Sequence, residues 1–205
     1  MINLSRRNLL LGAALVAFAT PASAAATVDL SDVATAQDND MTMGKDDAKV
    51  TLVEYASASC PHCAAFYKEV FPKIKADYID TGKIKFVFRE FPHNQQALAA
   101  FMLARCSPKE KYFPLMDVFF TTQEAWVPNA HDGLLNIMKQ TGMSETDFDA
   151  CLINQDVAKG IIATREKAST KYGVDGIPTI FIDGKKFTGE TSYDDIKKVI
   201  DPLVK

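Results

Sequence analysis

Only four cysteines, three histidines and one tryptophan occur in the 205 residues. No second C-x-x-C and no H-x-x-x-H accompanies Cys60 and Cys63, so the four-ligand set of a structural zinc site has no visible second half. No apolar run after Ala24 approaches the roughly 20 residues of a membrane-spanning helix. Internal repeats and low-complexity tracts are missing beyond the leader, so one domain accounts for the chain. Nor is there an excess of positive charge, with 23 Lys and Arg against 26 Asp and Glu, so nothing favours a nucleic-acid partner. The mixed stretch Lys109-Glu110-Lys111-Tyr112-Phe113 is too short to change that.

What is present begins with MINLSRRNLLLGAALVAFATPASAAA. It joins Arg6 and Arg7 to an apolar stretch from Leu9 to Ala19 and the small triplet Ala22-Ser23-Ala24, the three-part layout of an export signal. Residues 1–24 are predicted to be a signal peptide cut near Ala24, and no stable membrane insertion is expected after its removal. Ser5 to Leu10 also resembles a twin-arginine signal, and both export routes stay open. Losing Arg6 and Arg7 takes the 23 basic residues to 21 against 26 acids, a net charge of −5. The remaining chain of about 180 residues can bury a real core without a disulfide scaffold. Four cysteines in an exported chain are an even set, free to pair in an oxidising compartment.

Residues 25–43 are rich in Ala, Thr, Asp, Asn and Gln and read as a flexible arm. Val50 to Tyr55 is then a strand, the small residues Ala56 to Ser59 make a turn, and Pro61 opens a helix continued by Phe66, Val70, Phe71 and Ile74. Lys83 to Phe91 alternates as a second strand. From Gln95 to about Lys171 the spacing is that of amphipathic helices, with a capping-box-like Ser144-Glu145-Thr146-Asp147. Strand character returns at Pro178 to Ile182, followed by the Asp183-Gly184 turn, a strand over Lys186 to Thr188 and a helix from about Tyr193. The order β-α-β, helices, β-β-α implies an α/β or α+β domain whose halves, 44–94 and 173–205, are separated by a helical insertion over 95–172.

Cys60-Pro61-His62-Cys63 admits three readings. A metal half-site lacks partners, and His62 points away from the face the two sulfurs share on a helix. A purely structural bridge across so tight a loop constrains the unfolded chain little. For redox exchange, Cys60 stands at a helix start, where unpaired N–H groups and the positive end of the dipole favour a thiolate. His62 can add charge or a hydrogen bond, and Cys63, one turn on, can resolve a mixed disulfide. A fall in pKa from about 8.5 to about 5.5 would stabilise the reduced protein at pH 7 by roughly 2 kcal/mol, about 45 mV, and make the disulfide more oxidising.

Glu54-Tyr55 ahead of Cys60, the centre CPHC, the late Gly176-Ile177-Pro178-Thr179 and the helical block between them together resemble the DsbA-type thiol oxidases of the thioredoxin superfamily. Phe71-Pro72, Phe88 to Pro92 and Asp183 to Gly189 resemble a bacterial branch of that family. The resemblance implies a thioredoxin fold with an inserted helical domain. It implies a cis Ile177–Pro178 bond facing the cysteines and holding substrate, although Ile177 stands where valine or threonine is expected. It further implies that Glu54 is a buried acid moving protons beneath the cysteines. On this view the protein is a periplasmic oxidoreductase without a bound cofactor. It would pass the Cys60–Cys63 disulfide to reduced or unfolded exported polypeptides and be reoxidised by a quinone-linked membrane partner of the DsbB type. The alternatives are an isomerase or reductase, whose preceding dimerisation domain residues 25–43 are too short to form, and a metal-chaperone or peptide-binding module. Cys106 and Cys151, 45 positions apart, read as a structural second disulfide within the cap. His93 and His131 read as surface or capping residues, and Trp126, Met138 and Met143 as cap packing.

Overall fold

A computed structural model describes residues 30–35, 37 and 39–205. The expected signal peptide lies outside the described residues. A short helix α1 (Ser31–Ala34) leads to β1 (Met41–Met43) and β2 (Val50–Ala56). After α2 (Pro61–Glu69) come α3 (Phe71–Ile74), a π turn over Lys75–Ile79 and β3 (Ile84–Glu90). Six helices follow: α4 (Gln95–Cys106), α5 (Tyr112–Thr121), α6 (Gln123–Trp126), α7 (Ala130–Gln140), α8 (Glu145–Leu152) and α9 (Gln155–Lys171). Then come β4 (Thr179–Ile182), β5 (Lys185–Lys186) and α10 (Tyr193–Leu203).

The five strands form one sheet in the order β1-β3-β2-β4-β5, with β2 and β3 parallel and the other pairs antiparallel. Helices cover both faces, so β2 and β3 are largely apolar and nearly every one of their residues is buried, the charged Glu54, Arg89 and Glu90 included. Alternation still sorts the side chains. Leu52, Ala56, Phe86, Phe88, Ile180 and Ile182 join the larger core with α2, α4 and α5. Val53, Tyr55, Val87 and Phe181 face a smaller core closed by Val33, Ala168, Tyr172 and Val174.

Three sequence expectations are corrected. The predicted continuous helix from Pro61 to Ile74 breaks at Val70, because Pro72 has no N–H for the carbonyl of Lys68 and its ring crowds that turn. The last hairpin pairs earlier than predicted, Ile182 with Lys185 and Phe181 with Lys186. Asp183 (φ 47°) and Gly184 (φ 76°) form a tight two-residue turn whose twist matches the strands, so pairing starts at once. The flexible arm is not free over its described part. Met41–Met43 is an edge strand on β3, and Val33 is fully buried. The buried Arg89 guanidinium donates to Asp40 Oδ1 (2.9 Å), Asp40 Oδ2 (2.8 Å) and the carbonyl of Thr35 (3.1 Å). Polar composition suggested freedom, but the buried Arg89 guanidinium on β3 pairs with Asp40 and holds this segment.

The next residue, Glu90, points to the opposite face and receives Arg105 Nε (2.5 Å), Arg105 Nη2 (2.7 Å) and the Tyr112 hydroxyl (2.8 Å). One two-residue stretch thus ties β3 to the N-terminal segment and to the insertion. Cys106 and Cys151 form a disulfide joining the end of α4 to α8. Trp126 is buried in the insertion, its indole N–H on the carbonyl of Phe119 (2.8 Å). Among the described residues no helix is long and apolar enough to cross a membrane.

Candidate active site

The site grows from the end of β2. Ser57, Ala58 and Ser59 are small enough to turn under the sheet edge, and the Cys60 N–H closes the turn on the carbonyl of Ser57 (3.0 Å). Cys60 is the N-cap of α2 in extended conformation, and Pro61, with its preset φ, is the first helical residue. The main-chain N–H groups of His62 and Cys63 then point back toward the Cys60 sulfur. Cys60 is 8% exposed and Cys63 is fully enclosed; both are free thiols.

The two thiols are unequal. A hydrogen bond from the Cys63 thiol, the two main-chain N–H groups and the charge of His93 bring Cys60 down to about 5, against the opposing cost of burial. Donation to Cys60 and enclosure push Cys63 far up. Negative charge therefore collects on the sulfur that solvent and a second thiol can reach. His62 enters through its main chain, while its side chain is exposed. Of the two contributions expected of His62, charge or a hydrogen bond, its main-chain N–H supplies the hydrogen bond, while the charge acting on Cys60 comes from His93.

Beneath the pair, Glu54 is completely buried, and neither carboxylate oxygen has a hydrogen-bond partner among the described residues. Burial alone raises it to about 8. Its charge would act on Cys63 and on the buried Tyr67 one helical turn beyond. The β2–β4 register pairs Glu54 with Ile180 and Tyr55 with Thr179, which brings the chain just before β4 beside the start of α2. There the Ile177–Pro178 bond is cis, and the Ile177 carbonyl oxygen lies 3.9 Å from Cys60 Sγ. The structure thus brings together Glu54, Cys60, Pro61, Cys63, Ile177 and Pro178. Cys106 and Cys151 are bonded to each other in the insertion and take no part in this cluster. No group of three or more His, Cys, Asp or Glu side chains among the described residues is placed to hold a metal ion.

Five further residues shape the site: Ser57 and Ser59 were read only as part of the turn, His93 only as a surface or capping residue, and Gln123 and Asn94 were not singled out from sequence. The side chain of Gln123 donates to the carbonyls of Ala58 (2.8 Å) and Cys60 (3.0 Å). Ser59 Oγ donates to Asn94 Oδ1 (2.8 Å), and Ser57 Oγ lies 2.7 Å from His93 Nδ1. For His93 and Asn94 a signal existed. They follow β3, which runs parallel to β2, and parallel neighbours bring their carboxyl ends together. For Gln123, on a short helix far along the chain, there was none.

A thioredoxin family model matches residues 36–202. Proteins from Rickettsia bellii and Rickettsia conorii are 35% and 36% identical over 82% and 80% of this chain, which spans 65% and 60% of their length. Disulfide bond formation protein D of Bacillus subtilis is 30% identical, with 80% of this chain and 76% of that one aligned. Among solved structures, alpha-DsbA1 of Wolbachia pipientis superposes with a TM-score of 0.79 at 30% identity, covering 85% of this chain and 96% of that one. Oxidised BdbD of Bacillus subtilis gives 0.69 at 26% identity, covering 80% and 92%. With the β-α-β unit, the paired thiols at a helix start and the helical layer ahead of β4, these matches place the chain in the DsbA-type branch of the thioredoxin superfamily.

Proposed function

We propose that this protein is an exported thiol:disulfide oxidoreductase that donates a Cys60–Cys63 disulfide to reduced polypeptides in the periplasm. The observation that carries the reading is the asymmetry of the pair: Cys60 keeps a small exposed area and is held at about 5, and Cys63 is fully enclosed and pushed far up. A thiolate so stabilised makes the reduced protein the comfortable state and its disulfide an oxidant. The names of the Bacillus and Wolbachia relatives agree with disulfide chemistry, and the layout of residues 1–24 favours export.

In the forward reaction a substrate thiolate attacks Cys60 Sγ of the oxidised protein. The Cys60–Cys63 bond breaks, its electron pair goes to Cys63 Sγ, and a mixed disulfide joins Cys60 to the substrate. Cys63, a poor thiolate in its enclosed setting, takes up a proton. Glu54, protonated up to about pH 8, is the internal donor we assign to it. A second substrate thiolate then attacks the substrate sulfur, and Cys60 departs readily because its thiolate is stable. The substrate leaves oxidised, and the protein holds two more electrons.

The cis Ile177–Pro178 segment is assigned to hold the substrate backbone beside Cys60, given its place within 3.9 Å of that sulfur. Regeneration requires an acceptor for the two electrons, assigned to a quinone-linked membrane protein of the DsbB type. The test is equilibration of the leaderless protein with glutathione buffers, followed by alkylation and mass counting of free thiols. Half-reduction at a poise well above the thioredoxin range of about −270 mV supports a donor of disulfides. A pair still oxidised in strongly reducing buffer would require withdrawing the proposal.

A further inference from the structure

Ser57 touches both cysteines. Its carbonyl accepts from the Cys60 N–H (3.0 Å), and its own N–H is directed at Cys63. Its hydroxyl, buried with the rest of the residue, meets His93 Nδ1 at 2.7 Å. The other ring nitrogen of His93, Nε2, lies 3.1 Å from Asn94 Nδ2.

Donors and acceptors along this chain of contacts permit one assignment. Asn94 caps α4, and its Oδ1 accepts from the Ala97 N–H (2.9 Å) and from Ser59 Oγ (2.8 Å), which fixes the orientation of the amide. Nδ2, which can only donate, therefore faces His93 Nε2, and that nitrogen must be the acceptor. The proton of the neutral imidazole is left on Nδ1, where it donates to Ser57 Oγ. A helix cap thus selects the tautomer, the tautomer holds the serine, and the serine holds the turn bearing the reactive sulfur.

We infer that His93 is a positioning residue for disulfide exchange, held by Asn94 as its Nδ1–H tautomer so that it fixes Ser57 against both cysteines. This rests on the reading of Cys60 and Cys63 as an exchanging pair. The imidazole is exposed, so its substitution leaves the core intact. The same ring, when protonated, also favours charge on Cys60. Without it the reduced state is less favoured and the disulfide is retained more firmly.

Two measurements test this. In a long-range nitrogen–proton spectrum of the reduced protein at pH 8, the His93 signals, assigned by their loss in His93→Leu, should show a protonated Nδ1 and a bare Nε2. The opposite tautomer, or an average of the two, overturns the inference. In glutathione equilibria, His93→Leu should lower the equilibrium constant for oxidising glutathione about fivefold, the equivalent of one ordinary hydrogen bond. His93→Asn, whose amide places a donor near the position of Nδ1, should stay within about twofold of the parent. Any other ordering of the two variants overturns it. The parent's absolute poise reports on the exchange reading, whereas the ratio of variant to parent reports only on His93.

Discussion

Gln123 in the helical insertion and Cys60 at the head of α2 are joined directly, the Gln123 Nε2 donating to the Cys60 carbonyl at 3.0 Å. The same amide reaches the Ala58 carbonyl at 2.8 Å, so two consecutive donations from the insertion hold the turn that presents the reactive thiol. The insertion is therefore part of the site's frame as well as its cover.

Gln123→Leu should lower stability to urea by about 1 to 3 kcal/mol, since the buried Ala58 carbonyl loses this partner. Gln123→Met should cost a similar amount, because shape without a donor does not help. Urea unfolding of parent and variants checks this. Unchanged midpoints would mean the two donations contribute no net stability.

Glu54 should impose a falling stability as pH rises. Its folded value of about 8 exceeds the ordinary 4.5, so between those limits the folded state keeps a proton that the unfolded chain has released. The contribution is complete below pH 4.5 and is lost progressively as pH rises to about 8, up to roughly 5 kcal/mol at about 1.4 kcal/mol per unit. Glu54→Gln cannot titrate, so its unfolding free energy should lack this slope between pH 5 and 8. Parallel curves for parent and variant would remove the buried-acid role.

Cys60 should ionise near pH 5 in the reduced protein, read as thiolate absorbance at 240 nm. The sign is opposite to that of Glu54: a depressed thiol contributes stability that is present above its unfolded value of about 9 and is lost as pH falls through about 5. Cys63→Ala removes the largest cause of the depression, the donated hydrogen bond, and should raise the midpoint by about a unit or more. A midpoint unmoved by that change would leave the helix start as the whole explanation.

Cys106→Ala with Cys151→Ala opens a loop of 45 residues and should cost about 4 kcal/mol in the chain-entropy description, seen as a lower unfolding midpoint. The Cys60–Cys63 pair, outside that bridge, should still titrate in the double variant.

Asp40→Asn leaves the Arg89 guanidinium buried without its counter-charge and should cost about 3 to 5 kcal/mol. Protease nicking between residues 39 and 43 should accelerate in parallel if the ion pair is what holds this segment against β3.

Much of the site could be read along the chain because its chemistry is local. Cysteines three positions apart with proline between them define a helix start and a solvent-side sulfur, whatever the rest of the fold does. Glu54 and Pro178 were reachable through motif resemblance, not through periodicity, because nothing in a strand pattern says that an acid within it will lack a partner. His93, Asn94, Ser57 and Gln123 act through contacts between residues up to 65 positions apart, and local spacing carries no record of those.

From sequence alone came the strand-turn-helix around Cys60, the order of elements, the helical insertion and the candidate redox pair, since propensity, capping and hydrophobic spacing act over a few residues. Tertiary structure decided the rest. It set the capture of the Asp40 segment by Arg89, the desolvation of Glu54, and the placing of the His93 imidazole against Ser57. Each of these depends on which groups share a buried volume, and that is determined only when the sheet register and the helical layer bring distant segments into contact.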